Sequence, residues 1–299
     1  MRAVVVVGTI TLDTIERAGA VHRDVPGGSA LYAAAAASRV LPVHLLGVVG
    51  TDFPAGTFAT LRAGGVDHSA VEVLEGPTFR WHARYDTAGD QRTTVSRDRG
   101  VAEGRWPRVV VPPSPFALVL GSMDPRAQRH VLEACAGASP VGLDSMAYWW
   151  TERGDDLRAM LPRVHVLFVD EEELAIATGT RDAGTGAAAL HALGPEVVVV
   201  KRGSRGAWMQ RRGEAALECG AFPLPTAVDP TGAGDAFAGA WIAALASEGR
   251  AKDGTTLRLA TAIASGAVAS TGIDALVRTT PGEARARARA LAPTPAPPR

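Results

Sequence analysis

One stretch decides the fold and the chemistry that this sequence predicts: Val228-Asp229-Pro230-Thr231-Gly232-Ala233-Gly234-Asp235-Ala236-Phe237-Ala238-Gly239. Alanine-rich residues at helical spacing follow it, so its glycines form a turn that opens a helix. Such a turn presents unpaired N–H groups and the positive end of a helix dipole to an anion. We expect Gly232, Ala233 and Gly234 to bind phosphate, and Asp235 to accept the proton of an attacking hydroxyl. The four letters Gly-Ala-Gly-Asp alone would favour an ordinary helix start, but the whole run is much more specific.

Two other phosphate motifs can be compared with this stretch. A P-loop requires Gly-Lys, but the only lysines in the sequence, Lys201 and Lys252, follow Val200 and Ala251, so a P-loop is excluded. The dinucleotide pattern G-x-G-x-x-A occurs from Gly184 to Ala189, although no strand precedes it as that motif requires. We interpret it as a chance match, and an NAD-dependent oxidoreductase is the rival function that it would support.

Working outward, short β-branched runs alternate with longer alanine-rich segments, which predicts strand-helix units around a mainly parallel sheet and hence the α/β class. The predicted strands are Ala3–Val7, His44–Val49, Ala117–Leu120, Val141–Leu143, Val164–Val169 and Val197–Val200. The predicted helices are Ser29–Arg39, Ala55–Ala63, Arg126–Ala136, Glu171–Thr178, Gly186–Leu193, Asp235–Ser247 and Thr256–Ser270. The proline-rich tail, residues 292–299, is predicted to be disordered.

One segment departs from this alternation. From Thr78 to Val95, apolar or aromatic residues alternate with charged ones about an Ala-Gly-Asp turn at residues 88–90, which predicts a β-hairpin. The hairpin is either a lid over a ligand site or an ordinary edge hairpin. In the first case Phe79 and Trp81 can stack on a nucleobase, and in the second they form a small core of the hairpin.

Composition excludes several function classes. The 31 basic and 31 acidic residues cancel, so we expect no nucleic acid and no anionic membrane as partner, and an anion must be bound by a local site. Cys135 and Cys219 lack the spacing of a zinc site and cannot form a disulfide framework, which suits a reducing cytoplasm. The sequence contains no segment apolar enough to span a membrane.

A second glycine pair, Gly27-Gly28, also precedes a predicted helix and lets the backbone approach a bound molecule closely. With an early Gly-Gly motif and a late D-x-T-G-A-G-D motif, the sequence resembles the ribokinase, or PfkB-type, family of carbohydrate and nucleoside kinases from Val4 to about Gly272. The resemblance implies a single ribokinase-like three-layer α/β/α domain over residues 1–299, with a β lid built from about residues 9–25 and 76–104.

The resemblance also implies an activity. It is the transfer of the γ-phosphate of ATP, with Mg²⁺, to a hydroxyl of a sugar or nucleoside, most simply a primary CH2OH, with Asp235 as the base. A monovalent cation such as K⁺ near Asp229 and a homodimer formed through the lid are further expectations from the family. A non-catalytic ligand-sensing relative is the other alternative, and the presence of both Asp235 and the glycine run argues against it.

Further site residues follow from the resemblance. Glu173 in Asp170-Glu171-Glu172-Glu173 matches the glutamate of the family's N-x-x-E motif, which acts on magnesium through water, although Asp170 replaces the usual asparagine. The residues expected to contact the nucleotide are Lys201, Gly203, Gly206, Thr231, Ser265 and Gly266. Those expected to contact the acceptor are Asp13, Gly27, Gly28, Tyr32, Phe79 and Trp81. Tyr32 stands where the family often has asparagine, so the acceptor is less well defined than the reaction.

Overall fold

The computed structural model describes residues 3–86, 92–113, 115–248 and 253–296. Its strands are β1 (Ala3–Val7), β2 (Thr11–Arg17), β3 (Ala20–Gly27), β4 (Val43–Gly50), β5 (Val66–Leu74), β6 (Phe79–Tyr85), β7 (Arg92–Asp98), β8 (Phe116–Leu120), β9 (Val141–Leu143), β10 (Val166–Asp170), β11 (Val197–Lys201), β12 (Ala207–Arg211), β13 (Leu217–Cys219) and β14 (Thr294–Pro295). Its helices are α1 (Ser29–Ala37), α2 (Ala55–Ala63), α3 (Pro125–Ala134), α4 (Ala147–Met160), α5 (Glu171–Thr178), α6 (Ala183–Ala192), α7 (Ala233–Glu248), α8 (Asp253–Val268), α9 (Asp274–Arg278) and α10 (Pro281–Arg289).

The main sheet has the strand order β14-β13-β12-β11-β10-β9-β8-β1-β4-β5. All pairs from β11 to β5 are parallel, and β11 to β14 pair antiparallel. The valine runs of β1 and β11 are buried because helices cover both faces of the sheet, as continuous apolar strands require. The predicted α/β class with a mainly parallel sheet is confirmed.

Helices α1 and α7 lie side by side on one face of the main sheet. Every residue of α1 is buried, and a side chain at Gly239 of α7 would meet the backbone of Ala33 at 2.2 Å. Small residues therefore let the two helices approach each other closely. Because both helices begin at the carboxyl edge of the sheet, their packing brings the two glycine turns of the sequence together.

A second sheet of four strands, with the order β3-β2-β6-β7, stands beside this edge; we call it the lid. Strands β2 and β3 pair antiparallel, as do β6 and β7, whereas β2 and β6 run parallel. Ile15, Ala83 and Tyr85 form its small buried cluster, against which Val25 and Trp81 pack. The turn predicted at residues 88–90 lies outside the described residues.

Several elements differ from the sequence prediction. Helix α4 was missed because its sequence mixes charges with glycine, and its backbone is kinked at Arg153. Strands β5 and β12 to β14 were missed too, since they are short or lie toward the sheet edges and lack a continuous apolar run. Helices α9 and α10 had also not been predicted.

The prediction of a disordered tail over residues 292–299 is wrong in part. Thr294 and Pro295 pair with β13, and the N–H of Ala296 donates to the carbonyl oxygen of Ala216 at 2.9 Å. The tail completes an edge that would otherwise expose backbone groups, and proline is tolerated there because it lies on an outermost strand. Residues 297–299 are outside the described part. Among the residues described, no helix has the length and apolarity to cross a membrane.

Candidate active site

One large cavity of about 1400 Å³ follows the carboxyl edge of the main sheet beneath the lid. Drug-sized ligands occupy pockets of roughly 300–1,000 Å³, so this cavity has room for two ligands end to end. It is lined at one end, where the acceptor is expected, by Thr11, Asp13 and Tyr32, and at the other, where the nucleotide is expected, by Glu173 and Lys201. We call these the acceptor end and the nucleotide end. The turn before α7 lies between them.

The turn from Thr231 to Asp235 has the geometry that an anion site needs. Gly232 has a φ of +74°, which favours glycine, and the N–H of Ala236 donates to its carbonyl oxygen at 2.8 Å. The N–H groups of Gly232, Gly234 and Asp235 donate to no backbone oxygen within the described ranges. Gly232 and Gly234 line the cavity at the start of this 16-residue helix, so their free N–H groups are available to an anion there.

Asp235 lies in the first turn of α7 and lines the cavity. Burial raises the pKa of its carboxyl to about 7, and the nearby Asp144 carboxylate adds to the shift, while Lys201 and Arg92 oppose it. No other residue in the described segments donates a hydrogen bond to this carboxylate. A buried carboxyl with a pKa near neutrality is suited to accept a proton from a hydroxyl.

Asp13, on β2, is the buried carboxyl of the acceptor end. Its side chain is 1% exposed, burial raises its pKa to about 7, and its Oδ1 has no hydrogen-bond partner in the described chain. A side chain at Gly27 would come within 2.2 Å of Asp13 Oδ2, so this glycine makes room for the carboxylate and does not itself line the cavity. Gly28, with a φ of +94°, does line the cavity and caps α1.

Tyr32 of α1 lies directly beneath the anion turn. A side chain at Gly232 would meet the Tyr32 ring at 2.2 Å, so the ring supports the turn at this glycine. The Tyr32 hydroxyl is buried without a partner within the described chain, and burial holds its pKa well above the ordinary range. The residue expected to contact the acceptor therefore also contacts the phosphate-binding turn.

The lid supplies the aromatic rings expected at the acceptor end. Phe79 and Trp81 alternate with Arg80 on β6 and both line the cavity. The Arg92 guanidinium lies 5.4 Å from the Trp81 ring centroid, and Arg97 lies 4.4 Å from that of Tyr148, a ring on α4. The acceptor end thus combines planar apolar surfaces with cationic groups.

At the nucleotide end, Lys201 is engaged within the protein. Its Nζ donates to both carboxylate oxygens of Asp144, at 2.7 and 2.8 Å. Burial lowers the pKa of this amine, but the carboxylates of Asp144 and Glu173 outweigh burial and hold the pKa above its ordinary value. Lys201 lines the cavity beside Gly234, as one half of an ion pair that the sequence did not reveal, and its contact with the nucleotide stays a prediction.

Asp170 and Glu173 form a reciprocal cap at the start of α5. Asp170 Oδ1 accepts from the N–H of Glu173, and Glu173 Oε2 accepts from the N–H of Asp170, both at 2.8 Å. Burial raises the pKa of Glu173 well above its ordinary range. Both residues line the cavity, where carboxylate oxygens suit Mg²⁺ held through water. Within the described ranges, no three His, Cys, Asp or Glu side chains come together in a group that could hold a metal ion.

Gly203 and Gly206 form the turn between β11 and β12 and line the cavity. A side chain at Gly206 would lie 2.0 Å from the carbonyl oxygen of Cys219, so close packing alone requires glycine there. Ser265 of α8 also lines the cavity. Gly266 does not line the cavity with Ser265: it packs against Leu276 of α9, because a helix turns neighbouring residues to different sides. Its contact with the nucleotide stays a prediction that this position does not support.

The dinucleotide pattern at Gly184 is not a dinucleotide site. Gly184 and Gly186 lie within α6, which follows α5 after a short loop. Asp182 caps the start of α6, and its side chain accepts from the N–H of Thr185 at 2.8 Å. Gly186 packs against Leu174 of α5. No strand leads into these glycines, so helix packing explains them and this pattern gives no support to an NAD enzyme.

Sequence reasoning missed several residues of the site. Asp144 follows β9 and pairs with Lys201, which lies 57 residues away in sequence. Tyr85 lies in the lid, and its hydroxyl is 2.8 Å from Thr231 Oγ1. Neither pairing leaves a local pattern in the sequence.

Comparison with known proteins agrees with this geometry. Residues 1–280 match the model of the pfkB family carbohydrate kinases. A cytidine kinase from Thermococcus kodakarensis is 30% identical over 251 residues, which are 81% of this chain and 88% of that protein.

Solved structures are similar over almost the entire chain. A nucleoside kinase from Burkholderia thailandensis in complex with ADP and inosine superposes with a TM-score of 0.79 at 18% identity, covering 96% of this chain and 95% of that one. A ribokinase-like protein from E. coli in complex with ATP and Mg²⁺ gives a TM-score of 0.73 at 20% identity, covering 97% and 100%. At these identities the structures show a shared fold.

Proposed function

The chain belongs to the pfkB family of carbohydrate kinases, and from this premise we propose that it transfers the γ-phosphoryl group of ATP to the primary CH2OH of a ribonucleoside. It is an ATP-dependent kinase of the sugar and nucleoside class. The observation that carries the proposal is the position of Asp235, a buried carboxyl between a turn of free N–H groups and an acceptor end lined by Asp13 and aromatic rings.

Asp235 is the base in this mechanism. Its carboxylate accepts the proton of the acceptor hydroxyl as the hydroxyl oxygen bonds to the γ-phosphorus and the bond to the bridging oxygen of ADP breaks. A pKa near 7 lets the carboxylate be ionised at neutral pH and still take up a proton. The free N–H groups of Gly232 and Gly234 stabilise the negative charge of the transferring group.

The nucleotide occupies the end lined by Lys201, Gly203, Gly206, Thr231 and Ser265. Mg²⁺ bound with ATP neutralises charge on the phosphate oxygens, and Glu173 would hold it through water. Because Lys201 is paired with Asp144, the helix start and its free N–H groups carry much of the phosphate binding. This matches a chain with no net charge, in which anions must be bound locally.

Two features favour a nucleoside over a free sugar as acceptor. Phe79 and Trp81 offer planar surfaces for a base. The free Oδ1 of Asp13 can accept from ribose hydroxyls, which a nucleoside and free ribose share. The relative that matches over most of its length is a cytidine kinase.

The test is phosphorylation of cytidine, inosine, ribose and hexoses with Mg-ATP, followed by ADP release, with the phosphate located by NMR. We expect cytidine or another ribonucleoside to be phosphorylated on its primary hydroxyl with a higher kcat/KM than ribose. A clear preference for ribose, or no turnover of any nucleoside, would overturn the choice of acceptor. If none of these acceptors is phosphorylated, the result would instead support a non-catalytic, ligand-sensing relative.

A monovalent cation near Asp229 and a homodimer through the lid are further parts of the proposal. Asp229 Oδ1 accepts from the N–H of Thr231 at 2.9 Å, whereas its Oδ2 is buried with no partner among the described residues, which suits a bound cation. Such an ion would add positive charge close to the phosphate-binding turn. Activity in K⁺ against a tetramethylammonium salt tests the first expectation, and light scattering tests the second.

A further inference from the structure

Tyr85 connects the lid to the phosphate-binding turn. It is the last residue of β6 and is 8% exposed, and its ring belongs to the buried cluster of the lid with Ile15 and Ala83. Its hydroxyl leaves that cluster and lies 2.8 Å from Thr231 Oγ1, in the turn before α7. Any movement of the lid therefore moves the hydrogen-bond partner of Thr231.

The turn is held from below by parts that do not belong to the lid. Asp229 Oδ1 accepts from the N–H of Thr231 at 2.9 Å, and the Tyr32 ring fills the space where a side chain at Gly232 would stand. The N–H of Val228 donates to the carbonyl oxygen of Val268 at 2.9 Å. These contacts hold the turn from the side of the main domain. The Thr231 side chain contacts the lid, through the Tyr85 hydroxyl.

A second lid residue contacts the approach to the same turn. The Arg17 guanidinium, on β2, donates to the carbonyl oxygen of Ala227 at 3.0 Å and to that of Val228. The lid thus binds the segment 227–231 near both of its ends, through a charged group at one end and the Tyr85 hydroxyl at the other.

We propose that Tyr85 is a positioning residue, whose hydroxyl orients Thr231 so that the free N–H groups of Gly232 and Gly234 are aligned only when the lid is closed over the acceptor. This inference rests on the proposed function, since it assigns a role within the same transfer reaction. Its consequence is that the N–H groups of the turn are not aligned while the lid is open. Transfer of the phosphoryl group from ATP to water is therefore slow until an acceptor is enclosed.

The alternative is that the hydrogen bond only satisfies two buried hydroxyl groups. Removing one partner would then destabilise the fold, whereas replacing both by apolar groups of similar shape would be nearly neutral. The two explanations agree on the stability of the single variants. They differ on the activity of Tyr85→Phe, since only a positioning role predicts that kcat falls when this hydroxyl is lost.

The experiment compares Tyr85→Phe, Thr231→Val and the double variant, with cytidine and Mg-ATP. We expect Tyr85→Phe to lower kcat by about tenfold with little change in the KM for ATP, because the lost contact acts on alignment and not on nucleotide affinity. In the double variant the melting temperature should recover while kcat stays as low as in the lower single variant. Recovery of both would overturn the positioning role, as would a wild-type kcat in Tyr85→Phe.

Thr94→Val is the matched control. It removes a hydrogen bond inside the lid, from Trp81 Nε1 to Thr94 Oγ1 at 3.3 Å, without touching the turn. We expect its kcat to stay within about twofold of wild type. A tenfold loss in this variant as well would mean that any loosening of the lid suffices, and that Tyr85 has no special role.

A measurement without turnover separates this inference from the choice of acceptor. Hydrogen–deuterium exchange of the peptide covering residues 227–236 should be at least about fivefold faster in Tyr85→Phe than in wild type, and unchanged in Thr94→Val. If wild type fails to phosphorylate nucleosides but this difference is seen, the acceptor is wrong and the contact between lid and turn holds. Equal exchange in Tyr85→Phe and wild type would overturn the inference.

Discussion

In the nucleotide half of the cleft, the buried charged groups are paired with one another, whereas in the acceptor half buried oxygens lack a hydrogen-bond partner among the described residues. Lys201 pairs with Asp144, and Asp170 and Glu173 cap each other. At the acceptor end, Asp13 Oδ1 has no partner in the described part of the chain, and neither has the Tyr32 hydroxyl.

This difference indicates how the two ligands are bound. A half whose polar groups are already paired leaves no buried charge for the ligand to satisfy, which suits the phosphates that we propose it binds. A half that keeps buried oxygens unpaired is costly until hydroxyl groups satisfy them. Discrimination between acceptors should therefore arise at Asp13 and its neighbours, and the predictions below test this division.

The largest expected effect is at the junction of the two halves. Asp235→Asn should lower kcat by about 10³-fold with both substrates still bound, because the base is lost while the N–H groups of the turn remain. Steady-state kinetics of the transfer reaction, together with thermal shifts by ATP and cytidine, measure both effects. A kcat within tenfold of wild type would show that Asp235 is not the base.

Asp235→Asn should lower kcat but raise the stability of the fold above neutral pH. Burial raises the pKa of Asp235 to about 7 from 3.8, so the folded protein holds this proton more tightly than the unfolded chain does. Wild type therefore loses stability from this group as the pH rises from about 4 through 7. The melting temperature of Asp235→Asn should exceed that of wild type at pH 8, and the difference should vanish near pH 4.

Within the nucleotide half, Lys201→Met should destabilise the fold by about 3 kcal/mol, because it leaves Asp144 buried and unpaired. Urea unfolding monitored by tryptophan fluorescence gives the free energy. The double variant Lys201→Met with Asp144→Asn buries no unpaired charge and should recover most of the loss. If the single variant is as stable as wild type, the nucleotide half does not depend on internal pairing.

The sequence allowed prediction of the parts that depend on local order. The glycine turns, the valine strands and the lid hairpin have patterns that extend over a few neighbouring residues, and Asp235 follows from its place in such a pattern. The pair between Lys201 and Asp144, the hydrogen bond between Tyr85 and Thr231, and the tail strand β14 join residues 57 or more positions apart. Only the folded chain brings these residues together, so a single sequence carries no signal for them.

In the acceptor half, Asp13→Asn should lower kcat/KM for the acceptor by about 30-fold and leave the KM for ATP unchanged. The carboxylate can accept from two ribose hydroxyls, and a charge-assisted hydrogen bond is worth about 1.5–3 kcal/mol. Kinetics with each substrate varied in turn separate the two constants. An equal loss for ATP would mean that the two halves are not independent.

The smallest expected effect is on the choice between cytidine and ribose in the acceptor half. Phe79→Leu and Trp81→Leu each remove a flat surface from the lid face of the cavity, and stacking on a base is worth roughly 1 kcal/mol or more. Arg92 already covers one face of Trp81, so Phe79→Leu should have the larger effect, about a fivefold rise in the KM for cytidine. Ribose, which has no base, serves as the internal control, since its kcat/KM should change by less than twofold in both variants. If ribose and cytidine lose equally, the rings support the lid and do not bind the base, and acceptor selection then depends on Asp13 alone.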